Sequence, residues 1–526
     1  MTSPTPHSLG ALIGLLEVRG LLRSVLSAGV TSPAGMEVRG VTMDSRTVVP
    51  GSLFVAIPGR HLDGHEFAPA AVGAGAVAVM GERAVAGVAV PQLLVRGVRP
   101  ALALAAAWVH DFPSTKLGVL GVTGTDGKTT TAYLIRAMLE ACGYPTGMIG
   151  TIDVVAGGQS LGNAARTTTP ESPELQAHLA AMLAAGDRFV VVESTSHGLA
   201  HDRVAEIAYD VAVLTNVSSE HLEFHGSLEA YRAAKRRLFE WVGPSAGNPD
   251  KGWGKYAVLN LDDPISAEYG RAARDAGAGV ITYGADPAAD VRPSTVREDA
   301  SGLRVGVTTP RWRSDVTLRL AGRFNVHNAL AAVAAGEALD LDPEKMREGL
   351  ASVDGVPGRM QRIEAGQPFR VVVDFAHTAE SLAKVLDNLA PLAAAGGGGL
   401  IAVFGSAGDR DRQKRPAMGR VAAERCRLIV ITDEDPRSED RLAILDEIAA
   451  GAESLGRRRG QDLLLIADRR EAITRALGAA GPGDVVLLTG KGHEKTIEMI
   501  DGAIPWDEAG VARDVLAELG FHDPKA

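Results

Sequence analysis

The sequence contains very little cysteine. Its 526 residues include only Cys142 and Cys426. A disulfide framework or a cysteine-rich zinc site needs more thiols than these two, so both classes of protein are excluded. This scarcity also favours a reducing compartment, and we therefore expect a cytoplasmic protein.

Long apolar runs are missing as well. No stretch of about 18 apolar residues is free of polar interruption, so no transmembrane helix is predicted. The N-terminal stretch MTSPTPHSLGALIGLL lacks the charged region and the small-residue cleavage site of a secretory signal. We expect a protein that is not exported and has no membrane partner.

The chain also has no long basic block, and its 54 basic and 64 acidic residues give a formal net charge of -10. A nucleic-acid-binding surface is therefore not predicted, and anionic ligands must be held by local sites. The length exceeds what a single hydrophobic core supports, which predicts about three domains. We expect a monomer.

The domain boundaries are predicted from breaks in the pattern, at 1–112, 113–356 and 357–526. Short strands alternate with helical patterns up to Phe112, and Pro113 ends the last of these helices. From Leu117, strand, loop and helix repeat in LGVLGV, RFVVVE and DVAVLT, and a second such run follows VDGVPG. The fold class is therefore α/β, and polar clusters follow its strands. Because open α/β sheets bind ligands at the carboxyl ends of their strands, we expect the active site between two α/β domains.

The stretch GVTGTDGKTT follows one of these strands and resembles a phosphate loop. A Walker A loop needs glycine five places before Gly127, where Val122 stands instead, but Gly124 lies three places before it. These two glycines let the backbone approach a phosphate, and the helix beginning near Lys128 adds its positive end. We predict a compact phosphate loop in which Thr129 can bind Mg²⁺. Asp126 would contribute its backbone N–H, with its side chain turned either away from the phosphates or towards a cation.

Several candidate metal ligands follow the next strands. Glu193 ends the run FVVV, His197 comes four residues later, and His221 follows DVAVLT. A carboxylate and an imidazole at these strand ends could together bind a hard cation. Lys235 falls on an apolar helical stripe formed by Leu228, Tyr231, Leu238 and Val242. Its stem could pack on the core with the head in solvent, which periodicity alone favours. Alternatively, a buried neutral amine could add CO₂ and become a carbamate, which is an anionic metal ligand.

Charged loops follow three strands of the last predicted domain. VFGSAGDRDRQKRP carries Arg410, Arg412, Lys414 and Arg415, TDEDPRSED places Arg437 among Glu434, Asp435 and Asp440, and GKGHE follows DVVLLT. Such loops are either solvated surface or a site for a zwitterion, with Asp435 on the ammonium group and arginines on the carboxylate.

The ordered motifs resemble those of the Mur ligases of peptidoglycan precursor synthesis, and most closely the MurE type. That type adds the third amino acid to UDP-N-acetylmuramoyl-L-alanyl-D-glutamate. The matching motifs extend in order from Met43 to Glu494, and they are GVTGTDGKTT, TTTPES, ESTSHGL, TNVSSEHLEFHG, YRAAKRRLF, GRFNVHNALAA, GRMQRI, VVVDFAHT, VFGSAGDRDRQKRP, DPRSED and GKGHE.

The resemblance implies an N-terminal α/β domain that binds UDP, a central P-loop ATPase domain with a parallel sheet, and a C-terminal Rossmann-like domain. It implies ATP as co-substrate, Mg²⁺ as cofactor, and Lys128, Lys235, His221 and Glu193 as catalytic residues. For ATP it implies Gly124, Thr125, Asp126, Gly127, Lys128, Thr129, Thr130, Asn325, Asn328, Arg359 and Asp374. For the metal ions it implies Thr129 with Glu193, and His221 with a carbamate on Lys235 (N6-carboxylysine). For the UDP-sugar dipeptide it implies Met43, Ser45, Thr168, Thr169, Thr195, His201 and Arg203. For the amino acid it implies Arg410, Glu434, Asp435, Pro436, Arg437, Gly490 and Glu494.

The sequence departs from the family pattern at a few positions. Asp126 replaces a usual Asn, Glu220 a usual Asp, Thr195 a usual Ser and His201 a usual Gln, and AHTPD reads AHTAE. Members that add meso-diaminopimelate typically have Asp-Asn-Pro-Arg where this chain has Glu434 to Arg437. An acidic Asp435 favours a second ammonium group, as in L-lysine or L-ornithine, whereas Arg437 and Arg410 could still hold the extra carboxylate of diaminopimelate.

Other functions remain as alternatives at this stage. Another ligase of the same superfamily, such as the one adding D-alanyl-D-alanine or folylpolyglutamate synthetase, would share the phosphate loop. The motif DPRSED and the long N-terminal domain that contains MDSR (Met43 to Arg46) argue against both of these ligases. A nucleotide-switched binding protein is a further alternative, but the Asn-Lys-x-Asp motif of a GTPase is absent.

Overall fold

The computed structural model describes residues 7–522 except 30–31, 60–61, 164–166, 219, 245–247 and 300–301. The chain divides into two compact units. The first comprises Met1–Val296, Val305–Val316 and Val326–Ser352, and the second comprises Arg297–Arg304, Thr317–Asn325 and Val353–Ala526. None of the described helices has both the length and the apolar character needed to cross a lipid bilayer.

The first unit begins with a five-stranded sheet in the order β2-β7-β6-β5-β4. Its strands are parallel except β2, which pairs antiparallel with β7. The short strands expected before Phe112 include β5 to β7, and α3 is the last helix before Pro113. The elements are β1 (His7–Ser8), α1 (Leu9–Val18), β2 (Leu22–Leu26), β3 (Glu37–Val38), β4 (Gly40–Thr42), β5 (Ser52–Ala56), α2 (Ala68–Gly73), β6 (Ala78–Gly81), β7 (Gln92–Val95) and α3 (Val98–Val109).

The same unit continues into an eight-stranded sheet in the order β11-β10-β9-β12-β8-β13-β14-β15. The six strands from β9 to β15 are parallel, and β10 and β11 add an antiparallel edge. The elements are β8 (Gly118–Thr123), α4 (Lys128–Ala141), β9 (Thr146–Ile149), β10 (Val154–Ala156), β11 (Gln159–Ser160), α5 (Ser172–Ala185), β12 (Phe189–Glu193), α6 (Ser196–Ala200), β13 (Val211–Leu214), α7 (Leu222–His225), α8 (Leu228–Trp241), β14 (Tyr256–Asn260), α9 (Ser266–Asp275) and β15 (Gly279–Tyr283).

Three of these strands, β8, β12 and β13, are the ones predicted from the sequence, and they are adjacent in the sheet. Their carboxyl ends therefore lie side by side. The chain then forms a three-stranded sheet and two helices. These elements are β16 (Arg292–Asp299), β17 (Gly302–Thr308), β18 (Arg313–Leu318), α10 (Asn325–Ala338) and α11 (Pro343–Ala351).

The second unit contains a six-stranded sheet in the order β19-β20-β24-β21-β22-β23, parallel except for β19. Both faces are covered, because alternate strand residues pack against α12 to α14 on one side and α15 and α16 on the other. The elements are β19 (Gln361–Ile363), β20 (Arg370–Asp374), α12 (Ala379–Ala395), β21 (Leu400–Phe404), α13 (Lys414–Arg425), β22 (Leu428–Ile431), α14 (Arg441–Glu453), β23 (Leu463–Leu465), α15 (Arg469–Gly478), β24 (Val485–Thr489), β25 (Thr496–Met499), β26 (Gly502–Pro505) and α16 (Glu508–Glu518).

Candidate active site

The glycine-rich loop connects β8 to α4 and requires its glycines for steric reasons. Gly124 and Gly127 have positive φ angles of 151° and 83°. A Cβ atom on Gly124 would lie 1.8 Å from Thr215 Oγ1, and one on Gly127 would lie 2.5 Å from Asn328 Oδ1. Only glycine therefore fits at either position, and α4 begins at the next residue, Lys128.

Side chains on both sides of the loop hold its shape. Lys128 Nζ donates to the carbonyl oxygens of Gly124 (3.1 Å) and Thr125 (2.9 Å). Asp126 is exposed, and its backbone N–H donates to Asn216 Oδ1 at 3.1 Å while its carbonyl accepts from Thr215 Oγ1 at 2.6 Å. The Asp126 N–H thus already has an acceptor within the protein, so the expectation that it would bind phosphate is wrong.

Glu193, the last residue of β12, is fully buried beside this loop. Its Oε2 accepts a hydrogen bond from Thr129 Oγ1 at 2.9 Å and lies 3.0 Å from Thr151 Oγ1, while its Oε1 accepts from the Thr151 N–H at 2.9 Å. Thr168 Oγ1 lies 3.0 Å from Thr151 Oγ1. The side-chain atoms that converge here are all oxygens, and Mg²⁺ prefers oxygen ligands, so these residues fit the implied cation. Thr151 was missed by the sequence analysis because it follows the short strand β9, which was not predicted.

Lys235 lies on the buried face of α8 with only 1% of its surface exposed. Its Nζ donates to the Gly124 carbonyl at 2.6 Å and lies 4.5 Å from the centre of the Tyr231 ring. Burial, assisted by the positive charge of Lys128, places the pKa of Lys235 well below its usual value. The head therefore remains beneath the phosphate loop, and the alternative of a solvated head is wrong.

His221 precedes α7 in a left-handed conformation, with φ of 56°. Its ring meets that of His197 edge to face at 4.6 Å, and Phe224 stacks on His197 at 4.1 Å. Burial and the neighbouring imidazoles lower the pKa of His197 to about 4. In the part of the chain that the structure describes, no three His, Cys, Asp or Glu side chains converge as a metal site.

Four of the residues predicted to hold the sugar dipeptide lie together next to Glu193. Thr169 Oγ1 donates to the Glu193 carbonyl at 2.7 Å and is 3.0 Å from Thr195 Oγ1. Arg203 Nη1 donates to the Thr169 carbonyl at 2.9 Å. Burial and the nearby arginines, including Arg203, lower the pKa of His201.

Met43 and Ser45 occupy a separate turn, in which Asp44 Oδ1 accepts from the Arg46 N–H at 2.9 Å. The predicted adenine residues lie in the first turn of α10. Asn328 Oδ1 accepts from Thr131 Oγ1 at 3.3 Å within the first unit, and Asn325 Nδ2 donates to the Ala321 carbonyl at 2.6 Å within the second.

In the second unit, Asp374 at the end of β20 is buried and anchors two loops. Its carboxylate oxygens accept from the N–H groups of Met360 and Ala376, both at 2.8 Å. Burial raises the pKa of Asp374, and the charge of Arg359 opposes that rise. The Arg359 guanidinium lies over the Phe375 ring at 4.8 Å.

The loops after β22 and β24 share a buried cluster of charges. Lys491 Nζ lies 2.7 Å from Asp435 Oδ1 and 2.6 Å from Glu494 Oε2, and only 1% of its side chain is exposed. Asp435 Oδ1 also accepts from the Glu498 N–H at 2.9 Å. Asp435 therefore already has a cationic partner, which the sequence analysis missed although Lys491 lies within GKGHE.

Glu434 adds a further buried carboxylate to this cluster. Its Oε2 is buried and has no hydrogen-bond partner among the described residues. A Cβ on Gly490, which has φ of 101°, would lie 3.1 Å from this oxygen. The carboxylate therefore faces the backbone of the neighbouring loop and is a candidate acceptor for an ammonium group.

The loop after β21 is exposed at residues 409–413 and is anchored at its end by Arg415, the second residue of α13. Arg415 is fully buried; its Nη1 lies 2.9 Å from Glu439 and 2.8 Å from Glu447, and its Nη2 donates to the Ala407 carbonyl at 3.0 Å. Arg437, with φ of 54°, donates its backbone N–H to the Glu498 carbonyl at 2.9 Å. Arg410 is exposed. The three predicted loops thus meet at one edge of the sheet.

His493 in GKGHE should make the second unit sensitive to acid. Burial, together with the charges of Arg359, Lys491 and Lys495, lowers the pKa of His493 to about 3 from the usual 6.5. The unfolded chain binds a proton at this imidazole more readily than the folded protein does, so protonation favours unfolding. The free energy of unfolding is therefore unaffected by His493 above pH 6.5 and decreases as the pH falls towards 3. Over that range we expect the melting temperature of the wild type to fall more steeply than that of His493→Gln. Replacement of the exposed His522 by Gln should leave the wild-type slope unchanged, and equal slopes in all three proteins would contradict the assignment.

Comparison with known proteins places the whole chain in one family. Residues 37–107 match the Mur ligase family catalytic domain, residues 122–336 the Mur ligase middle domain, and residues 358–492 the Mur ligase glutamate ligase domain.

Individual relatives extend the match to nearly full length. The UDP-N-acetylmuramyl-tripeptide synthetase of Roseiflexus sp. (strain RS-1) is 47% identical over 96% of this chain and 100% of its own. The UDP-N-acetylmuramoyl-L-alanyl-D-glutamate--2,6-diaminopimelate ligase of Solibacter usitatus is 43% identical over 93% and 95%. A solved structure of a ligase with that same name superposes with a TM-score of 0.67 at 28% identity, covering 98% of this chain and 100% of that one. The chain therefore belongs to the Mur ligase family, whose members are ATP-dependent ligases that form amide bonds.

Proposed function

We propose that this Mur ligase adds the third amino acid, a diamino acid, to UDP-N-acetylmuramoyl-L-alanyl-D-glutamate during peptidoglycan precursor synthesis in the cytoplasm. The observation that carries the proposal is the phosphate loop with Glu193 beside it and the buried Lys235 beneath it. The names of the relatives, tripeptide synthetases and diaminopimelate ligases, support the choice of substrate. The proposal includes a monomer with domains at 1–112, 113–356 and 357–526.

In the proposed reaction, the γ-carboxylate of the D-glutamate residue attacks the γ-phosphorus of ATP and ADP leaves. The backbone N–H groups where the Gly124–Thr130 loop enters the first turn of α4 and the ammonium of Lys128 stabilise the charge on the phosphoryl group, so catalysis is mainly positioning and electrostatics. The α-amine of the amino acid then attacks the acyl phosphate carbon and loses a proton. The tetrahedral intermediate collapses to the amide with loss of phosphate.

The implied cofactor is Mg²⁺, and the residues present fit it. Thr129 and Glu193 would hold one ion through oxygen atoms 2.9 Å apart, and His221 with a carbamate on Lys235 would hold a second. When bound, the cations would neutralise phosphate charge. The low pKa of Lys235 supports the modification, because only the neutral amine adds CO₂.

Substrate binding is assigned as follows. Met43 and Ser45 contact the UDP-sugar, while Thr168, Thr169, Thr195, His201 and Arg203 hold the sugar dipeptide. Arg203 lies 2.8 Å from Glu171 and donates to the Thr169 carbonyl, so its side chain is held beside the other residues assigned to the sugar dipeptide. For ATP, Asn325 and Asn328 are assigned to the adenine, and Arg359 and Asp374 to the ribose and phosphates. Arg410, Pro436, Arg437, Gly490 and Glu494 complete the amino-acid site around Glu434 and Asp435.

We propose an amino acid with one carboxylate and a terminal ammonium group, such as L-lysine or L-ornithine, with meso-diaminopimelate as the alternative. Because Lys491 already pairs with Asp435, Glu434 is the acceptor for that ammonium, since its buried Oε2 accepts no hydrogen bond from the described residues. We expect phosphate release to require the UDP-sugar dipeptide and an amino acid together. The value of kcat/KM for L-lysine or L-ornithine should exceed that for meso-diaminopimelate about ten-fold or more.

The matched variant for this prediction is Glu434→Gln, which keeps the size of the side chain and removes its charge. It should reduce the preference for the diamino monocarboxylic acid. A clear preference of the wild type for meso-diaminopimelate would reject the choice of amino acid but not the ligase reaction. Phosphate release that depends on neither the UDP-sugar dipeptide nor the amino acid would reject the reaction itself.

A further inference from the structure

A fully buried ion pair lies behind the charged loops of the second unit. It joins Arg469, the first residue of α15, to Glu508, the first residue of α16, and at most 1% of either side chain is exposed. Arg469 Nε lies 2.9 Å from Glu508 Oε2, and its Nη2 lies 2.5 Å from Glu508 Oε1. The bidentate geometry orients the guanidinium plane.

The rest of the guanidinium is directed at two backbone carbonyls. Nη1 donates to the Asp433 carbonyl and Nη2 to the Thr489 carbonyl, both at 2.8 Å. Asp433 directly precedes Glu434, and Thr489 directly precedes Gly490. One side chain therefore binds the backbone at the start of both loops that carry the charged cluster.

These two loops are not on neighbouring strands. Strand β21 lies between β22 and β24, so the sheet ladder provides no direct hydrogen bond between the loops that follow them. Arg469 spans this gap across the carboxyl end of the sheet. A lysine has a single point of charge and no planar fork, so it cannot hold the carboxylate and both carbonyls with this geometry.

The position of the arginine is otherwise unfavourable. A cation in the first turn of a helix opposes the helix dipole, and a buried ion pair has a large desolvation cost. Helix α15 does not need Arg469 as a cap, since Asp468 already caps it with a side chain that accepts from the Glu471 N–H. The hydrogen bonds from Arg469 to the carbonyls of Asp433 and Thr489 explain why a buried arginine occupies this position.

We propose that Arg469, held by Glu508, is a positioning residue of the amino-acid site. It fixes the distance between Glu434 on one loop and the Lys491 cluster on the other, and so determines how tightly the incoming amino acid is held. This inference rests on the proposed function for the identity of the ligand, but not for the connection between the loops.

Its kinetic test uses the full-length enzyme, with KM measured separately for ATP, the UDP-sugar dipeptide and the amino acid. In Arg469→Lys and Arg469→Met we expect the KM for the amino acid to rise at least about ten-fold, as for a loosened binding site. The other two KM values should stay within about two-fold. A uniform change in all three would overturn the proposal.

A double variant separates positioning from stability. Arg469→Met leaves Glu508 buried without its cation, whereas Arg469→Met with Glu508→Gln removes both charges and keeps an acceptor for Trp506, whose Nε1 donates to Glu508 Oε2 at 2.7 Å. We expect the double variant to melt at a higher temperature than Arg469→Met and to retain the raised KM for the amino acid. Recovery of both quantities together would mean that the pair acts only through stability.

The matched control is Arg457, which also binds a carboxylate and two backbone carbonyls. It pairs with Asp462, just before β23, at 3.0 Å and donates to the carbonyls of Ala423 and Cys426, at the carboxyl end of α13. Arg457→Met should lower the melting temperature and leave the KM for the amino acid within about two-fold of the wild-type value. An equal rise in KM there would overturn the assignment to Arg469.

Hydrogen–deuterium exchange provides a readout that needs no substrate. Exchange in 433–437 and in 489–494 should increase together in Arg469→Met and in the double variant, but not in Arg457→Met. Unchanged exchange would overturn the proposal. If the wild type instead shows no turnover that depends on an amino acid, the proposed function fails, while the exchange result still decides whether Arg469 connects the loops.

Discussion

Replacement of Lys128 by Ala should reduce ADP formation by about 10³-fold, because a cation fixed beside a transferring phosphoryl group contributes that order of rate. The ammonium of Lys128 lies on the carbonyls of its own loop, at 3.1 and 2.9 Å, so it is positioned where the phosphates would lie. The measurement is ADP production at saturating substrate, with thermal melting as the check on folding.

The control for this prediction is Lys116, an exposed lysine just before β8. Lys116→Ala removes the same charge from the same unit and should retain the wild-type rate. ADP production by Lys128→Ala at the wild-type level would refute the assignment of the phosphate loop.

Replacement of Lys235 by Ala should nearly abolish turnover, with a loss of about 10² to 10³-fold expected when a charged group that supports phosphoryl transfer is removed. Added bicarbonate should not restore activity, since the amine that would carry CO₂ is gone. A small carboxylic acid such as formate or acetate should restore part of it, because its carboxylate can occupy the space left by the carbamate. The measurement is phosphate release with and without each additive.

The matched control is Lys251, a buried lysine of the same unit that lies 2.6 Å from Asp210 at the opposite edge of the sheet. Lys255 also pairs with Asp210, so Lys251→Met leaves that carboxylate with a cation. This variant should melt at a lower temperature and keep its turnover number. Wild-type rates in Lys235→Ala would remove the carbamate from the mechanism.

Much of the phosphate-loop region could be predicted because its signals are local. Gly124, Gly127 and Lys128 lie within a few residues, and the helical stripe of α8 placed Lys235 on the buried face. The three strands that lead to the loop, Glu193 and Thr215 lie in almost wholly apolar runs, GVLGVT, FVVVE and VAVL. Strands β9 (TGMI), β10 (VVA) and β11 (QS) lack such a run, because they have two to four residues each and two of them begin with a polar residue.

The charged cluster of the second unit could not be predicted, because its pairs are distant in sequence. Lys491 reaches Asp435 across 56 residues, and Arg469 reaches Glu508 across 39. A sequence shows which residues carry charge but not which charges cancel. The acidic residue at 435 therefore looked like the ammonium acceptor, whereas in the structure Asp435 pairs with Lys491 and Glu434 Oε2 accepts no hydrogen bond from the described residues.

The hydrogen bond from Trp506 to Glu508 has a spectroscopic consequence. The chain has five tryptophans, and the other four, Trp108, Trp241, Trp253 and Trp312, lie within the first unit. Indole emission responds to the charge and polarity around the ring, so a fluorinated or selectively retained Trp506 reports on the second unit alone. Trp506 contacts the same carboxylate as Arg469. Its emission would therefore report changes in the two loops that follow β22 and β24 during turnover, without any attached dye.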